Sequence, residues 1–223
     1  MVAALARHAN SPVLELGGTQ LTGRQMADEI SRYVQAFEAN GGGSVGAHGA
    51  DAPAVGLLAL NRPEVLLVIG AGQTQGWRRT ALHPLGSLDD HAFVLDDAGV
   101  QTLVIDPVPM FVERALGLLE KVPGLQRILT LGPVPAALAE VGVDLVAAAE
   151  EFPAQPLTAA VLEPDHVVSI TYTGGTTGKP KGVIGTAQAM ATMTQIQLAE
   201  WEWPDRPRFL MCTPLSHAGA AFF

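Results

Sequence analysis

The sequence has 223 residues, of which 13 are basic and 22 acidic, so its formal net charge is −9. This charge argues against a nucleic-acid-binding protein, because a phosphate backbone would be repelled. Charged residues make up only 16% of the chain and hydrophobic residues 48%, which excludes a disordered protein and favours a buried parallel sheet. The single cysteine, Cys212, excludes an internal disulfide. Its place beside a predicted apolar strand indicates a core residue, and the lack of a paired motif argues against a catalytic thiol.

No membrane span or secretory signal is predicted. The most apolar region, 54–72, is interrupted by the polar run NRPE at 61–64, so its apolar pieces are far shorter than the roughly 20 residues of a span. The first ten residues include Arg7, His8 and Asn10 and lack a long apolar stretch. We therefore expect a cytoplasmic protein without a transmembrane segment, and peripheral contact with a membrane stays open.

The first elements predicted are a short strand and a helix that begins at Thr22. Thr22 and Gln25 have the spacing of a capping box. A buried helix face is indicated by apolar residues at helical spacing, namely Met26, Ile30, Val34 and Phe37.

The run GGGSVG at 41–46 matches the pattern GxGxxG of dinucleotide-binding loops. That fingerprint follows a strand and opens a helix, whereas this run follows a helix and precedes a strand. We interpret it as a connection between the two elements.

From residue 54 onward, strands and helices alternate. Strands are predicted over 54–60, 101–105 and 127–131. Helices are predicted from Pro63 to about Gln73, after a cap at Ser87 to about Asp97, and over 110–121. This alternation is typical of parallel βα units. The stretch 133–164 is rich in alanine and proline, and we interpret it as an irregular connection with short elements.

The histidines lack the spacing of metal ligands. We interpret those outside the C-terminal stretch as solvated or structural, namely His8, His48, His83, His91 and His166. No metal site is predicted.

A run rich in glycine, threonine and lysine follows the strand predicted over 166–172. It reads YTGGTTGKPKGV, from Tyr172 to Val183, and contains two of the three lysines in the chain. Glycines allow an anion to approach the backbone closely, hydroxyl groups donate hydrogen bonds, and lysines supply charge. The pattern therefore predicts a phosphate-binding loop.

This loop is not a Walker A motif. Thr173 stands where that motif has its first glycine, and Pro180 follows Lys179 where the motif has Ser or Thr. Proline removes an N–H and disfavours the helical conformation at Lys179. Lys181 is therefore the lysine that we expect to contact phosphate.

The twelve residues from Tyr172 to Val183 resemble the phosphate-loop signature YTSGTTGxPKGV of the adenylate-forming superfamily, with Gly174 in place of the usual Ser or Thr. That superfamily includes acyl-CoA synthetases, luciferases and peptide-synthetase adenylation domains. Weaker similarity covers 13–46, 80–106 and the segment PLSHAG at 214–219. The resemblance implies that His217 lines the acyl and adenylate pocket, although Ser216 stands where an aromatic residue is commoner.

The resemblance implies that a carboxylate, most simply that of a fatty acid, attacks ATP to give an acyl-adenylate and pyrophosphate, and that coenzyme A then takes the acyl group. ATP, Mg²⁺ and coenzyme A are the implied cofactors. The implied phosphate contacts are Thr173, Gly174, Gly175, Thr176, Thr177, Gly178 and Lys181.

No catalytic residue is assigned. The later segments of the superfamily, including the small C-terminal domain with its catalytic lysine, match nothing in residues 1–223. We therefore expect the chain to be inactive by itself. Two alternatives stay open: a short protein that binds nucleotide or a partner without catalysis, and an acyl-adenylate ligase that delivers to a carrier protein.

The expected fold is α/β, a layered and mostly parallel sheet with flanking helices, forming an incomplete N-terminal domain of an adenylate-forming enzyme. After the loop we predict a short strand near 183–184, a helix over 187–200 and a strand over 208–212. Residues 1–50 and 208–223 are expected to belong to a different subdomain from 54–205. Apolar surface left exposed by this incompleteness is expected to cause self-association.

Overall fold

The computed structural model describes residues 1–42, 52–173, 179–204 and 207–216. The strands are β1 (Pro12–Leu16), β2 (Thr19–Thr22), β3 (Ala54–Leu58), β4 (Arg78–Ala81), β5 (Thr102–Ile105), β6 (Arg127–Thr130), β7 (Gly142–Asp144), β8 (Val167–Thr173) and β9 (Lys181–Thr186). The helices are α1 (Val2–Arg7), α2 (Gly23–Ala39), α3 (Pro63–Gln75), α4 (Leu88–Asp97), α5 (Pro109–Lys121), α6 (Leu145–Glu150) and α7 (Ala187–Glu200). A short 3₁₀ helix spans Ala136–Leu138.

A seven-stranded sheet with the order β7-β6-β5-β3-β4-β8-β9 forms the centre of the fold. All neighbouring strands are parallel except β9, which runs antiparallel to β8. β1 and β2 form a separate antiparallel hairpin. The carboxyl ends of six strands therefore meet at one edge of the sheet, where open α/β sheets bind their ligands.

Helices cover both faces of this sheet. A first core packs α2, α3 and α6 against one face, and Val104 and Leu129 of the sheet point into it. A second core packs α4 and α5 against the other face, where Leu103 and Ile128 point. Neighbouring residues of one strand thus enter opposite cores, as the two-residue period of a strand requires. The predicted layered α/β fold is confirmed.

The capping box predicted for α2 is present. The amide of Gln25 donates to Thr22 Oγ1 at 3.3 Å, and the amide of Thr22 donates to Gln25 Oε1 at 2.9 Å. Ile30, Val34 and Phe37 are buried in the first core, and Met26 packs partly buried against it. The helical spacing therefore identified the buried face correctly.

The other predicted helices begin close to where the sequence indicated. Pro63 is the first residue of α3, and Gly76 ends that helix in the left-handed conformation with φ 74°. Ser87 caps α4, because its Oγ accepts from the amide of Asp90 at 3.0 Å. The stretch 133–164 contains the short elements that were expected there.

Two predictions near the C-terminal stretch are wrong. The residues 208–212 form no strand, and in the part of the chain that the structure describes they pair with none. Leu210 there is 86% exposed and Cys212 is exposed, so Cys212 is not a core residue. Apolar composition indicated a strand, but a strand forms only where a neighbour completes its ladder.

Within the described ranges, no helix has both the length and the apolar character needed to cross a bilayer. Several large apolar side chains on β9 and α7 are exposed, among them Val183, Ile184, Ile196 and Leu198. Self-association through this surface stays a prediction, as does the division into subdomains.

Candidate functional site

The predicted phosphate loop joins β8 and β9, the last two strands at one side of the sheet. Thr173, the last residue of β8, lies opposite Lys181, the first residue of β9. Both side chains are exposed. The intervening Gly174, Gly175, Thr176, Thr177 and Gly178, like His217, lie outside the described residues. The structure therefore places the two ends of the loop, and the phosphate-binding role of all these residues stays a prediction.

A cavity of about 610 Å³ adjoins the ends of the loop. It is bounded by β4, β8, α4 and the segment that ends at residue 216. Its lining includes Arg79, His91, Thr171, Thr173 and Ser216. Thr173 belongs to the phosphate loop and Ser216 to the segment PLSHAG at 214–219, so the fold brings two of the segments that resemble the superfamily to one place.

Asn61 holds the second of these segments in position. Its Nδ2 donates to the carbonyl of Thr213 at 3.1 Å, and its Oδ1 accepts from the amide of Leu215 at 2.7 Å. Leu215 is buried in the first core. This paired contact fixes the chain at 213–215 beside the carboxyl end of β3. The sequence analysis missed Asn61, although an asparagine close behind a fully buried strand was a usable signal.

An ion-pair network supports the loop that carries Asn61. Arg62 donates to Glu64 Oε2 at 2.7 Å and to Asp106 Oδ1 at 2.8 Å. The other oxygen of Asp106 accepts from the amide of Leu60 at 2.6 Å. Asp106 is buried, so its charge is compensated by a cation and a backbone donor together. The network joins the carboxyl ends of β3 and β5.

Three contacts connect α4 to both ends of the phosphate loop. Tyr172 donates its hydroxyl hydrogen to Asp97 Oδ2 at 2.5 Å. The ring of Phe93 meets the ring of Tyr172 edge to face, with centroids 6.5 Å apart. Lys179 Nζ lies 4.9 Å from the centroid of Phe93, within the range of a cation–π contact. We call Phe93, Asp97, Tyr172 and Lys179 the α4 brace.

The brace requires a protonated tyrosine and a small residue opposite it. Burial, together with the bond to Asp97, raises the pKa of Tyr172 above its ordinary value, so the phenol stays a donor. Gly182 pairs with Tyr172 across the strands. A Cβ at residue 182 would lie 2.8 Å from Ile170 Cγ2 and 3.2 Å from Tyr172 Cζ. Glycine at this position therefore lets the tyrosine ring pack close to β9.

His91, which lines the cavity, is a structural residue. Arg114 Nη1 can only donate, so His91 Nδ1 accepts from it at 2.9 Å, and Nε2 donates to the carbonyl of His83 at 2.9 Å. Burial lowers the pKa of His91 to about 4, and the neighbouring Arg114 also disfavours a second proton. The imidazole is thus neutral at pH 7, which fits the interpretation from sequence.

His166 is also engaged in the fold, because its Nε2 donates to the carbonyl of Gly76 at 2.7 Å. Across residues 1–42, 52–173, 179–204 and 207–216, no group of three His, Cys, Asp or Glu side chains has the arrangement of a metal site.

Arg79 is the cavity residue that sequence reasoning missed. It lies on β4, is partly buried, and lines the same cavity as Thr171 and Thr173. Burial lowers the pKa of its guanidinium. The signal was available, since the pair Arg78 and Arg79 stands in a short strand of an otherwise weakly charged chain.

Comparison with known proteins agrees with the fold and with the family resemblance. The chain is 70% identical over all of its 223 residues to the medium/long-chain-fatty-acid–CoA ligase FadD8 of Mycobacterium tuberculosis, and this match covers 38% of that protein. It is 29% identical over 144 residues to the human long-chain-fatty-acid–CoA ligase 6, covering 59% of this chain and 20% of that protein. The chain thus spans well under half the length of these relatives.

Solved structures share the fold at lower identity. A structure described as a putative long-chain-fatty-acid CoA ligase from Rhodopseudomonas palustris superposes with a TM-score of 0.79 at 18% identity, over 97% of this chain and 51% of that one. The o-succinylbenzoate CoA synthetase from Bacillus subtilis, in complex with its acyl-adenylate intermediate, gives a TM-score of 0.72 at 18% identity, over 98% of this chain and 50% of that one. The profile of the AMP-binding enzyme family matches residues 2–223, and this chain belongs to that family.

Proposed function

We propose that this chain forms the phosphate-binding part of a fatty-acid–CoA ligase. In this reaction a fatty carboxylate attacks the α-phosphate of ATP, an acyl-adenylate and pyrophosphate form, and coenzyme A then takes the acyl group as a thioester. The identity of 70% to a medium/long-chain-fatty-acid–CoA ligase supports this choice of substrate class. The whole reaction is named for the full-length relative, of which this chain covers 38%.

The observation that carries the proposal is the β8–β9 hairpin. Its first strand ends at the ligand-binding edge of the parallel sheet, and Lys181 stands opposite Thr173 where the predicted loop begins and ends. A hydroxyl and an ammonium group thereby flank the glycine-rich run at 174–178 of the sequence. This chemistry suits a polyphosphate.

Positive charge at this position would reduce the electrostatic repulsion between the two anionic reactants of the proposed reaction. A carboxylate and a phosphate must come together, and two unit charges 4 Å apart repel by roughly 4 kcal/mol at an effective dielectric of about 20. Lys181 and the hydroxyl and backbone donors of the loop offset part of that repulsion and hold the nucleotide. Lys179, which rests on Phe93, contributes charge nearby.

Mg²⁺ and coenzyme A belong to the proposal through the family alone. Mg²⁺ would supply further charge neutralisation on the polyphosphate. Since the described residues contain no metal-binding cluster, we assign no side chain of this chain to the ion. Nor do we assign a residue to coenzyme A. The exposed Thr173 and Lys181 fit the polyphosphate itself.

The three lysines of the chain provide a matched test by nucleotide titration. Lys181→Ala should weaken ATP binding about tenfold or more, because a charge-assisted phosphate contact contributes about 1.5–3 kcal/mol. Lys179→Ala should have a smaller effect. Lys121→Ala is the control, since Lys121 pairs with Asp89 on α4 at the surface. Unchanged ATP affinity in Lys181→Ala, with the fold intact, would contradict the proposal.

We further propose that the 223-residue chain does not complete adenylation by itself. The test is fatty-acid-dependent exchange of pyrophosphate into ATP, measured on the isolated chain. We expect no exchange above background. Exchange at a rate near that of an intact synthetase would overturn this point and leave the ATP-binding proposal standing. A cytoplasmic location and delivery to coenzyme A rather than to a carrier protein are part of the same proposal.

A further inference from the structure

Within the described residues, two buried polar atoms of side chains that line the cavity beside the phosphate loop have no hydrogen-bond partner. They are Nη1 of Arg79 and Oγ of Ser216. Arg79 comes from β4 and Ser216 from the segment that Asn61 holds in place. Buried polar atoms are nearly always satisfied, so two unsatisfied atoms around one cavity indicate a missing partner.

Arg79 differs from the other arginines that have an unsatisfied nitrogen. Arg32 has a buried free Nε but forms an ion pair with Glu29 through Nη1. Arg78 also has a buried free Nε, but its Nη2 donates to the carbonyl of Ala98 at 3.1 Å. Within the described part of the chain, the side chain of Arg79 forms neither an ion pair nor a hydrogen bond, whereas its backbone pairs with β3 and β8.

Among the described residues, no carboxylate forms an ion pair with the Arg79 side chain, although Asp90 lines the same cavity. Asp90 accepts from Ser87 Oγ at 2.6 Å at the start of α4. His91 is neutral, and both of its ring nitrogens are used by Arg114 and His83. Lys179 lies against Phe93 and carries a charge of the same sign as Arg79. The partly buried guanidinium therefore has no ion-pair partner among the described residues, which is an unfavourable arrangement.

We infer that Arg79 is the cation of an oxyanion-binding corner in this cavity, with the hydroxyl of Ser216 as a second donor. The ligand would be a carboxylate or phosphate group, because the planar guanidinium matches two oxygens of either group. Thr171 and Thr173 line the same cavity and add hydroxyl groups. Residue 79 lies outside the phosphate-loop signature, so this corner is an addition to the loop.

The two sources of such an oxyanion are the acid substrate and the nucleotide, and this part of the inference rests on the proposed function. The experiment uses the 223-residue chain and two probes, decanoate and pyrophosphate with Mg²⁺. Each probe is titrated by calorimetry and by its effect on the melting temperature. The probe whose affinity depends on Arg79 identifies the source.

The diagnostic variant is Arg79→Met, and Arg78→Met is its matched control one residue away on β4. Removal of an unpaired cation should raise the melting temperature of the ligand-free chain and weaken one of the two probes about tenfold or more. Arg78→Met loses the bond to Ala98, so it should lower the melting temperature and leave both affinities within about twofold of the parent chain. Arg79→Lys should bind the probe with intermediate affinity, since it keeps the charge but loses the planar pair of donors.

If Arg79 belongs to a ligand site, Arg79→Met should raise the melting temperature while it weakens binding. If Arg79 has a structural role, the same variant should lower the melting temperature. A ligand-free Arg79→Met variant that is less stable than the parent would overturn the inference, and so would unchanged affinity for both probes. The inference is also wrong if the parent chain binds neither probe. If Lys181→Ala loses ATP binding while Arg79→Met keeps the melting temperature and both probe affinities of the parent chain, the inference about Arg79 is refuted and the proposed function stands. Arg79-dependent decanoate binding in a chain that binds no ATP would refute the proposed function alone.

Discussion

The strand at the centre of the sheet and the strand at its edge are in very different environments. All five residues of β3 are buried, whereas β9 is exposed over its first four residues. The helices beside them differ in the same way, because α2 buries seven residues and α7 buries none. Most of the burial that stabilises the fold is therefore in the central βα units. The hairpin that carries the predicted phosphate loop is attached mainly through β4 and the α4 brace. Functional loops are commonly drawn from such regions of low local stability.

The largest difference between the two regions should appear on removal of apolar side chains. Leu103→Ala in β5 removes a side chain with 0% exposure and should cost about 2–5 kcal/mol of unfolding free energy. Ile184→Ala in β9 removes one that is 62% exposed and should cost less than about 0.5 kcal/mol. Urea denaturation of both variants measures this. Equal costs would mean that the hairpin is as tightly integrated as the centre.

The next effect concerns His91 on α4, between the two regions. Its pKa is lowered to about 4 by burial, against an ordinary value of about 6.5. The unfolded chain then binds more protons than the native chain between these two pH values. The contribution of His91 to the free energy of unfolding is therefore fully present above about pH 6.5 and is lost as the pH drops towards 4. The loss should reach about 2–3 kcal/mol.

A pH series of urea denaturations with His91→Gln as the comparison measures this contribution. The variant keeps polar groups near Arg114 and His83 but does not titrate. Its stability should therefore fall less steeply between pH 6.5 and 4 than that of the parent chain. An identical slope in both proteins would show that His91 does not carry this pH dependence.

A smaller effect should appear on cutting the α4 brace. Tyr172→Phe and Asp97→Ala each remove the bond of 2.5 Å, and the double variant should reveal a coupling of about 1 kcal/mol in unfolding free energy. If the brace positions the loop, the same variants should weaken ATP binding severalfold. Asp97→Asn keeps an acceptor and should restore part of the affinity. Additive effects on the free energy of unfolding, with no change in ATP binding, would show that the brace does not position the loop.

The smallest effects are expected from removing the N-terminal caps of α2 and α7. Thr22 caps α2 and Thr186 caps α7, where Thr186 Oγ1 accepts from the amide of Ala189 at 3.2 Å. Thr22→Ala should lower global stability by about 1 kcal/mol, because α2 is part of the core. Thr186→Ala should increase amide hydrogen exchange in α7 alone and leave the global value within about 0.3 kcal/mol, since α7 buries nothing. Global loss from Thr186→Ala would contradict the comparison.

Local patterns account for the predictions that succeeded. The capping box at Thr22, the cap at Ser87 and the proline that opens α3 act within one helical turn, so the sequence alone reveals them. The predicted strand over 208–212 failed because a strand depends on a neighbour that its own residues do not specify. Cys212 was assigned to the core for the same reason and is exposed.

The sequence by itself determined the alternation of strands and helices, the buried faces, and the glycine, threonine and lysine run from Tyr172 to Val183, because periodicity, caps and turn chemistry are local properties. Only the tertiary structure decided which distant residues meet. Asp97 and Tyr172 are 75 residues apart, and Asn61 and Leu215 are 154 apart. Whether the side chain of Arg79 meets an anion is likewise a property of its surroundings, and among the described residues it forms no ion pair.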